Sequence, residues 1–240
     1  MKKKFLLLLP LLLMPLAACD MSNAANKDGD DAETSEPGAG EKLSYDKKEA
    51  FNKLKNYGKT TGFDITMDVK SVSDGKTTKN TIEVGMKDDM VWLINDDGNY
   101  TGIELTSATT VTAFTSEDGV TFDTNELGPD ALNGQTPEEF YDSYAETLTM
   151  YFYMAENYKV LGLSKVKDLT YVGRNATEYA FDMRYGVMGT TAKLYIDKEL
   201  GINLYLFAEA VDEEGNKDST EFDVKTFLSG SQVSKPNINQ

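Results

Sequence analysis

The chain of 240 residues contains no histidine, one cysteine, one tryptophan and only two arginines, Arg174 and Arg184. Without histidine there is no Ser/His/Asp triad and no imidazole general base, and without a free thiol there is no thiolate nucleophile or thiolate metal site. A single cysteine allows no internal disulfide. Stability must come from an apolar core, which a chain of this length can build as one domain. Positive charge is also scarce: 24 Lys and Arg face 40 Asp and Glu, a formal charge of −16. Such a surface repels nucleic acid and anionic headgroups over a Debye length of roughly 8 Å at physiological salt. That excludes nucleic acid as a partner.

At the N-terminus Lys2, Lys3 and Lys4 precede an apolar run from Phe5 to Leu16 that is broken by Pro10 and Pro15. A basic start, a short apolar stretch and a small-residue end predict a secretory signal over residues 1–18, too short and proline-marked for a transmembrane helix. Leu16-Ala17-Ala18-Cys19 resembles the lipobox of bacterial lipoproteins. The resemblance implies that Cys19 is acylated and anchors the mature chain to the outer face of the cell membrane. Acyl burial contributes about 0.8 kcal/mol per methylene, so one chain holds reversibly and two hold stably. The competing reading is an ordinary signal with a coincidental cysteine, which leaves an unpaired thiol in an exported protein.

From Asp20 to Glu41 there is no aliphatic residue beyond Met21, and Asp28, Asp30, Asp31, Glu33 and Glu36 repel one another. Such a segment cannot offset its ordering entropy, so residues 19–43 are predicted to be a disordered acidic tether carrying the lipidated Cys19. A single domain is expected over residues 44–228, followed by a polar, fraying tail over 229–240.

Within the domain, Asp46 with Glu49 reads as a helix start, and Ala50, Phe51, Leu54 and Tyr57 share one face. The expected helix covers 46–57, with Gly58 as its left-handed stop. The period then shortens to two. Phe63, Ile65, Met67 and Val69 alternate with polar residues, Asp74-Gly75 makes a tight turn, and Ile82, Val84 and Met86 follow. Further strands are expected at 90–94, 101–105, 110–115 and 120–122. Thr136-Pro137-Glu138-Glu139 is a strong helix start, and the helix is expected to reach Asn157 with an apolar C-terminal half. Strands resume near Asp168 and end near Leu228, and Tyr195, Tyr205, Phe207 and Phe227 fall on the opposite phase to the main apolar set. The predicted class is α+β: an antiparallel, incompletely closed β half-barrel with an N-terminal helix and a central capping helix.

The hairpin Ala192-Lys193-Leu194-Tyr195-Ile196-Asp197-Lys198-Glu199-Leu200-Gly201-Ile202-Asn203-Leu204 resembles one that recurs in the superfamily of lipoprotein carriers and outer-membrane lipoprotein receptors, which includes the mycobacterial lipid-transporting lipoproteins. The resemblance implies a half-barrel whose concave face is capped by helices and holds acyl chains. The carriers hold their lid with an arginine; here no motif aligns Arg174 or Arg184 with that role. Methionine and aromatic side chains adapt to disordered hydrocarbon. Met67, Met86, Met150, Met154, Phe181 and Met183 are the candidate lining; taken singly, each reads more readily as an ordinary core residue packed against the central helix.

Other chemistry is excluded or left without a site. Gly58-Lys59-Thr60 and Gly75-Lys76-Thr77 lack the earlier glycine of a phosphate loop. The acidic turns around Gly98 and Gly215 place Leu93 and Ala210 where a calcium loop needs its first ligand. Ser44-Tyr45-Asp46-Lys47 lacks the companion motifs of penicillin-binding enzymes. Paired carboxylates remain open, since their separation is visible only in three dimensions. No cofactor and no metal are expected. The leading expectation is a non-enzymatic, membrane-anchored protein that binds a lipid or other hydrophobic molecule. The alternative is a surface interaction or sensor protein with a filled core and a protein or cell-wall partner.

Overall fold

The computed structural model describes residues 41–238. The leader, Cys19 and nearly all of the tether lie outside the described residues. Helix α1 (Lys47–Thr60) starts where Asp46 accepts a hydrogen bond from the Glu49 N–H at 3.0 Å, and it buries Ala50, Phe51, Leu54 and Gly58. It runs a turn past the expected end because Gly58 is a packing residue inside the helix: a Cβ there would meet Met86 Sδ at 2.4 Å. The left-handed stop is Gly62 (φ 81°), whose N–H donates to the Tyr57 carbonyl at 3.1 Å.

Eleven strands form one antiparallel sheet: β1 (Phe63–Ser73), β2 (Lys76–Lys87), β3 (Met90–Ile94), β4 (Tyr100–Ser107), β5 (Thr110–Ser116), β6 (Asp123–Leu127), β7 (Ser164–Tyr171), β8 (Arg174–Tyr185), β9 (Met188–Asp197), β10 (Asn203–Val211) and β11 (Lys217–Ser229). The order β6-β5-β4-β3-β2-β1-β11-β10-β9-β8-β7 leaves β6 and β7 as the edges, β7 bridged at its start by Lys42, and β6 and β7 do not pair, so the sheet is unclosed. Two meanders are joined by the long-range pairing of β1 with β11. The expected α+β class with an unclosed antiparallel sheet is therefore present.

Three local expectations are corrected. Residues Val120–Phe122 are not a strand: Asp118 Oδ1 accepts the N–H groups of Val120 and Thr121 at 2.9 and 2.7 Å, which takes those donors away from any ladder. The fifth hairpin partner is β6 instead. The second meander starts at Ser164, earlier than Asp168. Phe227 lies on the same face as Ile65, its register partner, because the register slips between Thr66 and Met67 and leaves Lys225 as a bulge.

Helix α2 (Pro137–Leu148) opens with a full capping box between Thr136 and Glu139. It stops at Leu148, short of the expected Asn157. Buried Thr149 turns its hydroxyl back onto the Ala145 carbonyl (2.7 Å), and the chain continues as a 3₁₀ turn (Met150–Tyr153), a single helical turn α3 (Ala155–Tyr158) and a second 3₁₀ turn (Lys159–Leu161). This broken path puts both Phe152 and Tyr153 in the interior. Ion pairs Lys47–Glu146 (2.6 Å) and Lys55–Asp142 (2.7 Å) join α1 to α2.

Both faces of the first meander are covered. On the helix face, α1 packs on β2 and α2 on β3, β4 and β5. On the outer face Met90, Trp92, Phe114 and Phe122 form a second buried cluster with Val233 and Ile238 of the C-terminal segment. The segment expected to fray is thus laid across the sheet, tied by Lys87 Nζ to the Val233 carbonyl (2.7 Å) and by Lys235 to Glu104 (2.8 Å). Glycines make the room: a Cβ on Gly85 would lie 2.1 Å from the Trp92 ring, and one on Gly102 2.4 Å from Phe114.

Candidate functional site

The strand registers arrange the helix face of the second meander in rows. One row, Tyr179–Leu194–Leu206–Phe222–Val69, carries large side chains, and Leu194, Leu206 and Phe222 have no exposed surface. The 3₁₀ turn at Met150–Tyr153 packs on β10, with the Phe152 ring 6.2 Å from Phe222 and 6.5 Å from Phe63. The next row is Phe181–Ala192–Ala208–Thr220–Ser71. Here the side chains shrink, so the floor of the face drops by several methylenes per residue. The third row is Met183–Thr190–Ala210–Asp218. Phe181, Ala208, Ala210 and Thr190 are half-buried and Met183 is 42% exposed. The face thus opens from the sealed core toward the β8–β9 turn as a partly exposed trough of small side chains, in which Phe181 and Met183 are the large apolar groups and Thr190, Thr220 and Asp218 the polar ones.

The six methionine and phenylalanine positions singled out from the sequence divide between two environments. Met67 and Met86 have no exposed surface at all, so no cavity that admits water borders them. They pack in the core under α1, Met86 against Gly58. Met150, Met154 and Phe181 are half-buried and Met183 is open to solvent. These four are reachable without unpacking the core. The small-residue row at Ala192 and Ala208 went unremarked in the sequence; its signal is alanine at the register positions where the preceding row carries Leu194 and Leu206.

A second depression, about 310 Å³, is lined by Gly173, Arg174, Asn175, Asp197, Lys198 and Glu199. Its polar groups are already committed. Arg174 makes a two-pronged pair with Asp197 (Nε–Oδ2 2.7 Å, Nη2–Oδ1 3.1 Å) and reaches Glu199 at 3.0 Å. Its guanidinium stacks 4.7 Å from the Phe227 ring centroid and 5.6 Å from that of Tyr57 in α1. Asp197 also accepts the Glu199 and Leu200 N–H groups. The cluster rivets α1 to the β9–β10 turn. Arg184 is exposed beside Asp182 (3.3 Å).

On the outer face, next to the second core, Asp64 is held up to about 7 by burial and by the charge and hydrogen bond of Glu83. Asp118 and Asp168, both in water, are held down to about 2, the first by the Thr121 and Val120 N–H groups and the second by Lys198 and Thr177. The acidic turns close on themselves: Asn95 Oδ1 accepts from Asp97 and Asn99, and Asp212 Oδ1 from Glu214 and Asn216. Among the described residues no group of three or more His, Cys, Asp or Glu side chains could hold a metal ion, and no helix is long and apolar enough to cross a membrane.

No protein-family model and no curated protein matches the chain. Solved structures that match include MucB in complex with MucA(peri) (16% identity, TM-score 0.31, 81% of this chain), of which the chain spans 60%. A DUF1329 family protein from Desulfovibrio piger matches at 8% identity and TM-score 0.31, covering 82% of this chain and 98% of that one. A LolA superfamily protein from Nitrosomonas europaea matches at 8% identity and TM-score 0.27, covering 77% and 93%.

Proposed function

We propose that this chain is a non-enzymatic, extracytoplasmic lipoprotein, held on the outer face of the cell membrane by acylated Cys19, that takes up a lipid acyl chain or similar apolar molecule in the trough of the second meander. The observation that carries this reading is the unequal cover of the helix face. Large side chains seal it at Leu194, Leu206 and Phe222, while Phe181, Met183, Ala208 and Ala210 of the same face keep exposed surface. Each methylene transferred there from water contributes about 0.8 kcal/mol, and the apolar side chains it covers leave water with it. Adaptable Met150, Met154 and Met183 suit an occupant without fixed shape.

Native mass spectrometry of the gently purified chain tests it. Bound lipid is expected in the wild type and is expected to be lost in Phe181→Asp, with an unchanged melting temperature. A chain that neither retains nor accepts lipid refutes the reading. A second reading, an interaction protein with a filled core, is favoured by the complete burial of Met67, Met86 and Phe63. It predicts that Phe181→Asp leaves every bound mass unchanged.

A further inference from the structure

The outer face of the second meander carries an aromatic cluster that the lipid-binding reading does not use. Tyr195 of β9 and Tyr205 of β10 are register partners on the face opposite Leu194 and Leu206, with ring centroids 4.9 Å apart and planes 32° from parallel. Tyr171 of β7 meets both steeply, at 66° and 5.1 Å from Tyr195 and at 62° and 6.2 Å from Tyr205, and its hydroxyl reaches on to Asp223 of β11. Its ring therefore lies across the edges of the other two, one face down on them and the other turned away from the sheet. Tyr205 is tied likewise, its hydroxyl donating to Glu221 at 3.3 Å. Bonds at the far ends of these phenols fix the rings before any ligand arrives. The C-terminal segment covers this face over the first meander, but Tyr171, Tyr195, Tyr205 and Phe207 keep exposed surface. Rings packed against one another and left open to water mark a binding surface.

The charges beside the rings select the ligand. The chain as a whole carries −16, yet along the row Glu178–Tyr195–Tyr205–Asp223–Asp68 every carboxylate has a lysine. Glu178 meets Lys167 at 3.6 Å and Lys193 at 3.8 Å, Asp68 meets Lys79 at 3.1 Å and Lys225 at 3.8 Å, and Asp223 meets Lys225. A charged ligand would displace one member of such a pair and leave the other uncompensated. Uncharged hydroxyls donate to the carboxylates and accept from the ammonium groups, so every pair survives. Protein interfaces deplete Lys, Glu and Asp at their centres, whereas here these pairs flank the rings on both sides. We infer that this face is a second binding site, for an uncharged glycan that stacks the C–H face of a pyranose on Tyr171 and hydrogen-bonds the flanking pairs through its hydroxyls. Two residues beyond Tyr171, Gly173 enters the depression of about 310 Å³, with Asn175 exposed on its rim, which gives further sugar units a polar place to continue. The site lies on the other side of the strands that carry the trough and stands independently of the lipid-binding reading.

Isothermal titration of the full chain tests it, with cellohexaose and chitohexaose as uncharged probes and the cationic chitosan hexamer and anionic hexagalacturonate beside them. At least one uncharged hexamer is expected to bind with a Kd of about 1 mM or tighter, and both charged ones more weakly. Tyr171→Ala is expected to weaken binding about tenfold, the worth of one aromatic contact, and Phe181→Asp, on the opposite face, to leave it unchanged. No binding of either uncharged hexamer, tighter binding of a charged one, or equal affinity in Tyr171→Ala overturns the inference. Should Tyr171→Ala lower the melting temperature, amide shifts of the wild-type chain decide: movement at Tyr195 and Tyr205 upholds the site, and movement confined to other strands overturns it.

Discussion

Replacing Asp64 by asparagine should make the protein more stable at neutral pH and leave it unchanged in acid. Asp64 and Glu83 lie on the outer face of β1 and β2, diagonal neighbours through the pairs Asp64↔Gly85 and Thr66↔Glu83. Trp92 pairs with Gly85 and covers it, and Asp64, the other register partner of Gly85, is half-buried beside this flank of the second core. Burial, then the Glu83 charge and hydrogen bond, raise Asp64 from 3.8 to about 7. The folded state therefore binds a proton that the unfolded chain has already released. Stability is greatest below pH 4, falls as pH rises toward 7, and is level above it.

A three-unit shift sets a ceiling of about 4 kcal/mol. Asp64 keeps part of its surface in water, and solvent screening brings the expected difference down to about 1–2 kcal/mol. Asparagine imitates the neutral carboxyl and removes the slope. The assay is urea unfolding from pH 4 to 8.5, followed by the emission of Trp92, the only tryptophan, which is 1% exposed. Carboxylates common to both chains cancel in the difference. A stability difference that stays constant across this range, or a variant less stable than wild type at pH 8, refutes the argument.

Gly85→Ala should cost about 1–3 kcal/mol by overpacking and shift Trp92 emission to the red, because the new Cβ falls 2.1 Å from the indole. Asp197→Ala should cost about 3 kcal/mol in urea unfolding, since it strips a half-buried Arg174 of its two-pronged partner and frees the Glu199 and Leu200 N–H groups. Asn203→Leu should raise stability by about 1 kcal/mol, because both amide atoms of Asn203 are buried without a protein partner; a loss measured by thermal unfolding would refute that account.

Much of this architecture is legible locally. Asp46, the Thr136-Pro137-Glu139 box and the Asp74-Gly75 turn carry their own hydrogen-bonding instructions, and each structure forms where its residues demand it. The strand phases of β1 and β2 follow from strict alternation. What escaped depends on partners distant in sequence. Gly58 looks like a helix stop until Met86 is seen against it, and Phe227 looks out of phase until β1 imposes the bulge at Lys225. The outer core has a sequence trace in β3, where Met90, Val91, Trp92, Leu93 and Ile94 are apolar on both phases, so a strand expected there needs cover on both faces. A second trace is the pair of glycines, Gly85 and Gly102, each beneath an aromatic ring. The polar composition of the last ten residues likewise concealed Val233 and Ile238, two side chains sufficient to pin the segment.

The lining residues show where periodicity stops being informative. Met67 and Met183 have the same local signature: a methionine on the inward phase of an alternating strand, one pair from a phenylalanine or isoleucine. Yet Met67 has no exposed surface and Met183 has 42%. Period two reports which face a side chain takes; it says nothing of what lies above that face. The cover is supplied by α1, α2 and, beyond the break in the central helix, the turn at Met150–Tyr153 that packs on β10. That break hangs on Thr149, whose hydroxyl bonds back to Ala145 and sends the chain into a 3₁₀ turn. Had α2 continued straight to Asn157, nine more residues at 1.5 Å each would have extended it about 13 Å beyond Leu148. The broken path instead drives Phe152 into the centre beside Phe63 and Phe222. Buried Thr149 thus stands at the point where the chain leaves the helix axis and Phe152 reaches the core.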